Sequence, residues 1–228
     1  MGKKRSSKYI NLCEIQNNLN EIKVVFPELN NQMLAQRDLI TAELIDNLMC
    51  GYDYVDFLIR SNIDLFGNGN TNHILELNHL VLMGDDHKVR YEYQSHIRAT
   101  QMHFFKQFPF IFKRYHKKYA KYNHGDEIKK KKKYKLAAGL FVYGVSQPQL
   151  FIEGNHRTGS LLMSYLLVRE TRPPFVMCLH NIHKYLNPAT IVKSSSKDKF
   201  FDKHYYQKKY KKYFAEFLEQ DGDKRFLI

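Results

Sequence analysis

Apolar residues along this chain recur mainly at steps of three and four positions, a period typical of amphipathic α-helices. One such stripe consists of Leu39, Ile40, Leu44, Ile45, Leu48 and Met49. Another, near the C-terminus, consists of Tyr206, Tyr210, Tyr213, Phe214, Phe217 and Leu218. A third apolar patch covers residues 104–112, where Pro109 is predicted to kink or end the helix. The pattern therefore predicts a mainly α-helical protein.

One short segment departs from the helical period. Over Arg90–Ile97 the residues alternate with a period of two, as in a half-buried β-strand. This is the only strand pair that the pattern predicts, so we expect one small β-hairpin in an otherwise helical chain. Stretches rich in Gly, Asn, Asp or Ser at 67–70, 84–86 and 194–196 indicate loops.

Residues 149–160 carry the clearest chemistry: Gln-Leu-Phe-Ile-Glu-Gly-Asn-His-Arg-Thr-Gly-Ser, followed by an apolar run that predicts a buried helix. Gly154 permits a tight turn, and backbone N–H groups at the start of a helix form an anion site. Arg157 would add a guanidinium for phosphate oxygens. Glu153 could hold Mg²⁺ between two phosphates. The alternative is an ordinary loop-to-helix junction, because Gly-Asn is also a common turn dipeptide.

This loop resembles the signature of the Fic (Fic/Doc) family, which reads His-Pro-Phe-x-Asp/Glu-Gly-Asn-Gly-Arg-x-x-Arg. The resemblance covers roughly residues 35–180, including the helices on either side of the loop and the proline pair that closes the second one. It implies a Fic-like helical bundle in which Arg90–Ile97 forms a β-hairpin flap that docks a protein target. Fic enzymes transfer a nucleoside monophosphate, such as AMP from ATP, to a protein hydroxyl.

The same resemblance implies the ligands of the site. We expect a nucleotide, ATP or similar, together with Mg²⁺ held by Glu153. The residues expected around the phosphates are Gly154, Asn155, His156, Arg157 and Thr158.

The signature is degenerate at its catalytic positions. Gln149 stands where the family has the histidine that accepts the proton of the attacking hydroxyl, and an amide has no usable basicity near neutral pH. Ser160 replaces the second arginine, which in the family meets the terminal phosphate. His156 replaces a glycine and is a speculative substitute base, although it lies on the other side of Gly154. A histidine that binds phosphate or faces solvent is the favoured alternative.

Two hypotheses follow for this site. In the first, the chain is a nucleotidyltransferase-like enzyme with reduced or altered activity. In the second, it is a pseudoenzyme that senses a nucleotide or acts as a scaffold through binding alone.

Positive charge is concentrated in two segments. Residues 113–135 have a net charge of +9 and residues 193–212 a net charge of +6, against +13 for the whole chain. The rest of the chain is therefore nearly neutral. Lysine runs are often simply solvated. The alternative is a third hypothesis, in which Lys129–Lys133 contact nucleic acid or an anionic membrane surface.

Length and composition limit how the chain can be organised into domains and where it is located. A chain of 228 residues, 43% of them hydrophobic, can bury one good-sized core. We predict an N-terminal extension at 1–34, a Fic-like domain at 35–190 and a basic helical extension at 191–228. Three scattered cysteines without metal spacing indicate free thiols in a reducing compartment. With no apolar run of membrane length, we expect a cytoplasmic protein, or one delivered to a host cytosol if it is a bacterial effector.

Overall fold

Helices form nearly all the regular structure in the residues that the computed structural model describes, which are 8–67, 69–122, 128–195 and 200–228. Side chains are described within these ranges except at 114–122, 128–132, 195 and 200–203. The helices are α1 (Leu12–Asn31), α2 (Ala42–Arg60), α3 (Thr71–Met83), α4 (His87–Glu92), α5 (Gln94–Tyr122), α6 (Ile128–Val145), α7 (Asn155–Val168), α8 (Ile182–Ser195) and α9 (Phe200–Gln220). The prediction of a mainly α-helical protein is confirmed.

Helix boundaries follow local capping more closely than the apolar period. Thr41 has extended backbone and its hydroxyl accepts a hydrogen bond from the Leu44 amide at 3.1 Å, so α2 begins only at the next residue. Leu39 and Ile40 therefore precede the helix in which the apolar pattern placed them, and Leu39 is exposed. Pro109 lies inside α5 and does not end that helix.

The β-hairpin predicted at Arg90–Ile97 is wrong for these residues, because the structure places them in α4, in α5 and at Tyr93 between the two helices. Asp86 caps α4 by accepting a hydrogen bond from the Lys88 amide at 2.7 Å. Tyr91 and Tyr93, which set the apparent alternation, are largely exposed. An alternating segment becomes a strand only where a partner strand and a buried face are available, and neither is present here among the described residues.

The centre of the fold is α7, in which every residue from Thr158 to Val168 is buried. It packs against α2, α3 and α6, and α6 in turn packs against α5, α8 and α9. Gly159 allows a close approach to α6, since a Cβ there would lie 2.7 Å from the ring of Phe141. A helix enclosed in this way holds its N-terminal end at a fixed place in the interior.

The two ends of the described chain meet. The Tyr9 amide donates to the Ile228 carbonyl at 2.7 Å, and the Ile228 amide donates back to the Tyr9 carbonyl at 2.9 Å. The buried core contains residues from each of the three predicted segments, 1–34, 35–190 and 191–228. That division stays a prediction.

Among the described helices, none combines the length and the apolar character needed to cross a membrane.

Candidate functional site

The loop before α7 is closed by a single buried amide. The Phe151 amide donates to Oδ1 of Asn155, and Nδ2 of Asn155 donates to the Phe151 carbonyl, both at 2.8 Å. Gly154, between them, has a φ of 73°, in the left-handed region that favours glycine. The local sequence thus sets the turn that leads into the helix.

A residue distant in sequence also supports this loop through hydrogen bonds. Asn78 of α3 is fully buried, and its Nδ2 donates to the Glu153 carbonyl at 2.9 Å and to Oγ1 of Thr158 at 3.0 Å. Thr158 is also fully buried and does not line the cavity described below, so its hydroxyl supports the loop. Asn78 was not among the predicted site residues, and its only signal in the sequence is an amide within the apolar run of α3.

The first turn of α7 presents free hydrogen-bond donors. Its first backbone bond runs from the Thr158 amide to the Gly154 carbonyl at 2.9 Å, and no side chain caps the helix. The N–H groups of Asn155, His156 and Arg157 therefore have no acceptor among the described residues. Three such donors at the positive end of a helix dipole favour an anion.

A cavity of about 340 Å³ is lined by this helix end. Its size falls within the range of small-molecule sites, on the order of 300–1,000 Å³. The wall formed by α1, α2 and the segment after α7 is apolar and partly aromatic, and includes Phe26, Ile45, Tyr52 and Phe175. The polar lining residues are Arg37, Asp38, Gln149, Glu153, Asn155, His156, Arg157, Ser160 and Lys193. The cavity thus combines an apolar chamber with a polar cluster that includes the cations of Arg37, Arg157 and Lys193 and the carboxylates of Asp38 and Glu153.

Arg157 brings a guanidinium to this cavity from the first turn of α7. Its Nη1 donates to the Val81 carbonyl at 2.6 Å, and its Nη2 lies 4.0 Å from Oε1 of Glu153. Burial lowers the pKa of Arg157, while Glu153 and Asp38 act in the opposite direction. The guanidinium remains charged at neutral pH, because the pKa of arginine starts above 12. Nη2 is therefore available to an anionic ligand.

Two carboxylates of the cavity wall are oxygen donors of the type that Mg²⁺ prefers. The side chain of Glu153 is 63% exposed, and Asp38 lines the same cavity. Within the described part of the chain, no group of three or more His, Cys, Asp or Glu residues forms a metal cluster. Mg²⁺ needs no such cluster when phosphate oxygens and water complete its coordination. The donor set thus suits a metal that arrives with a phosphorylated ligand.

His156 is a neutral group at physiological pH. Burial, followed by the charges of Arg37 and Lys193, lowers the pKa of His156 to about 3. Its Nε2 is buried and has no hydrogen-bond partner among the described residues. Such a low pKa makes the imidazole a weak base, which argues against a role as catalytic base. His156 lies in the wall of the cavity.

We expect His156 to make folding stability depend on pH. Its pKa falls from 6.5 to about 3 on folding, so the unfolded chain gains a proton first, and stability is lost as the pH falls from 6.5 towards 3. Between pH 7 and pH 5 the contribution is about 2 kcal/mol. Denaturant titrations of wild type and His156→Asn at both pH values measure it as the difference between the two proteins. Equal losses in both would contradict the lowered pKa.

Gln149 lines the cavity beside the loop. Its Nε2 donates to the Val145 carbonyl at 3.3 Å, and its own backbone carbonyl accepts from Nε2 of His103 at 2.9 Å. A carbonyl can only accept, so this bond requires the His103 proton on Nε2. His103 is not among the residues that line the cavity. The position thus offers an amide that can orient a hydroxyl but cannot deprotonate it.

No family model matches this sequence, and no curated protein matches it either. Among solved structures, the chain is similar to a Fic domain containing signaling protein from Bacteroides thetaiotaomicron, with a TM-score of 0.51 and 15% sequence identity. The match covers 91% of this chain and 85% of that one. The protein therefore has a Fic-like fold. At this level of identity, the likeness concerns the fold alone.

Most side chains of the two basic segments, among them those of Lys129–Lys132, are outside the part of the chain that the structure describes. Lys133 forms an ion pair with Glu170.

We expect that neutralising the four lysines Lys129–Lys132 weakens binding to a DNA oligonucleotide or to anionic vesicles and reduces its salt dependence. Fluorescence anisotropy or vesicle sedimentation at several salt concentrations measures this. A wild-type protein that binds neither polyanion at low salt would eliminate the third hypothesis.

Proposed function

We propose that the cavity binds a phosphate-bearing ligand, in the first instance a nucleotide with Mg²⁺, and that the site derives from a protein nucleotidyltransferase. The observation that carries this proposal is the set of three free N–H groups at the start of α7, next to the guanidinium of Arg157. Charge-assisted hydrogen bonds from a guanidinium are among the strongest contacts a phosphate can receive.

Each part of the site has a separate role in this proposal. The N–H groups of Asn155, His156 and Arg157 hold phosphate oxygens, and Glu153 holds Mg²⁺, which neutralises phosphate charge when it is bound. The apolar chamber, with aromatic walls such as Phe175, accommodates the base and sugar. This arrangement binds and orients a nucleotide without requiring a proton transfer.

Catalysis is reduced or altered in this proposal. The amide of Gln149 has no usable basicity, and His156, with a pKa of about 3, is a poor proton acceptor at neutral pH. These two facts also favour the second candidate, a pseudoenzyme that senses a nucleotide or acts as a scaffold. In either case, a protein partner would dock near Arg90–Ile97, where exposed tyrosines Tyr91 and Tyr93 are available.

A thermal-shift panel tests the binding proposal. We expect ATP with Mg²⁺ at saturating concentration to raise the Tm of the wild-type protein by several degrees, since a ligand at 100 times its Kd adds about 2.7 kcal/mol. Arg157→Ala should lose most of this shift. Arg98→Ala is the matched control, because Arg98 is exposed and lies outside the cavity. A wild type unaffected by millimolar triphosphate with Mg²⁺ would exclude the site as proposed.

A further inference from the structure

A second arginine enters the cavity from the loop that joins α1 to α2. The buried amide of Asn30 fixes the backbone of Arg37 on both sides. Its Nδ2 donates to the Arg37 carbonyl at 2.8 Å, and its Oδ1 accepts from the Arg37 amide at 2.9 Å. The paired bonds hold the loop against the end of α1 and fix the backbone at Arg37.

The side chain of Arg37 is held against α8. Its Nη2 donates to Oγ1 of Thr190 at 2.7 Å and to the Leu186 carbonyl at 3.2 Å. Both acceptors are neutral, and among the described residues no carboxylate lies within ion-pair distance of this guanidinium. The Nε atom is buried and has no hydrogen-bond partner there. Arg37 is thus a partly buried cation without a counter-ion.

A buried charge without a partner is unfavourable, because burial removes the charge from water. Burial lowers the pKa of Arg37. An anion in the cavity would offset this desolvation and could accept the unused N–H groups of the guanidinium. An incoming anionic ligand would therefore gain more from Arg37 than from a solvated surface arginine.

Arg37 faces the same space as the α7 site. It lines the cavity together with His156 and Arg157, and its charge contributes to lowering the pKa of His156. Ser160, which also lines the cavity, cannot add a positive charge, and its hydroxyl already donates to the Arg157 carbonyl at 2.7 Å. Two guanidinium groups from separate parts of the chain thus converge on one cavity.

We propose that Arg37 is a second cationic contact for the phosphates of the ligand, and that it acts together with Arg157 and the N–H groups of α7. This inference rests on the proposed function, because it assigns a further residue to the same binding site. It also links the α1–α2 loop to ligand binding, since the anion would join that loop to the start of α7.

Isothermal titration calorimetry with ATP and Mg²⁺ tests the inference on the full chain. We expect Arg37→Gln to raise the Kd at least tenfold, while Arg98→Gln leaves it within twofold of wild type. Thr190→Val removes a hydrogen bond from Arg37 but keeps the cation, so it separates anchoring from charge. We expect this variant to bind ATP within about threefold of wild type.

Chemical protection gives a second readout that does not depend on a variant's folding. In wild-type protein, ATP with Mg²⁺ should slow phenylglyoxal modification of Arg37 and Arg157, measured by peptide mass spectrometry, but not modification of Arg98. Unchanged affinity in Arg37→Gln together with an unprotected Arg37 would overturn the inference, while loss of binding in Arg157→Ala would leave the proposed function standing. If wild type binds no ATP at all, both proposals fail.

Discussion

Replacing Gln149 with histidine should convert a protein that labels its targets slowly or undetectably into one that transfers AMP from ATP at a measurable rate. The expected gain is on the order of 10²–10⁴-fold, the usual contribution of a general base. Position 149 lines the cavity beside the proposed phosphate site. It also stands five residues before Gly154, where the Fic signature has its histidine, so the new imidazole would lie at that spacing. Incorporation of labelled AMP into the protein itself or into a test protein measures this.

The gain should be partial, because Ser160 supplies no second guanidinium on α7. The double variant Gln149→His/Arg157→Ala should lose the gain, since it keeps the base and removes a phosphate contact. Gln149→Asn is a control that retains an amide and should stay inactive. Robust labelling by wild type that His156→Ala abolishes would contradict this account and identify His156 as the base of a different reaction.

Replacing Gly154 with alanine should remove ligand binding and destabilise the fold. Left-handed backbone is unfavourable for a residue with a Cβ by about 1–2 kcal/mol. The added Cβ would also lie 2.9 Å from Nδ2 of Asn78 and 3.3 Å from the side chain of Leu82. We therefore expect the unfolding free energy to fall by roughly 1–3 kcal/mol. The thermal shift with ATP should be lost, because the N–H groups of α7 would move.

Gly139 offers a matched control in the interior of α6. A Cβ at that position would meet only the Lys211 side chain, at an ordinary distance of 3.8 Å. Gly139→Ala should stabilise the protein by about 0.5–1 kcal/mol, since alanine is the better helix former. It should leave the ATP shift intact. Chemical denaturation and thermal shift of both variants give the comparison, and equal behaviour of the two would contradict the special role of Gly154.

The features that follow from short stretches of sequence were predicted best. The turn at Gly154 and the buried helix after it depend on a glycine, an asparagine and an apolar run broken only by Ser164, all close together in the chain. The helical period also identified most of the bundle. The segment Arg90–Ile97 was predicted wrongly, because a period of two in eight residues is weak evidence for a strand without an identified partner.

The residues that complete the site lie outside the loop and its sequence motif. Asn78 and Arg37 lie far from the loop in sequence, and they reach it only because α3 and the α1–α2 loop pack around α7. The low pKa of His156 has the same origin, since it arises from burial and from charges on other elements. The sequence indicated a phosphate loop, whereas the walls and the electrostatics of its cavity required the fold.

A crystal structure with a non-hydrolysable ATP analogue and Mg²⁺ would show whether the cavity binds a nucleotide. We predict phosphate oxygens within hydrogen-bond distance of the N–H groups of residues 155–157 and of the Arg157 guanidinium, with the base in the apolar chamber. An analogue bound only along the basic segments, with none in the cavity, would contradict it.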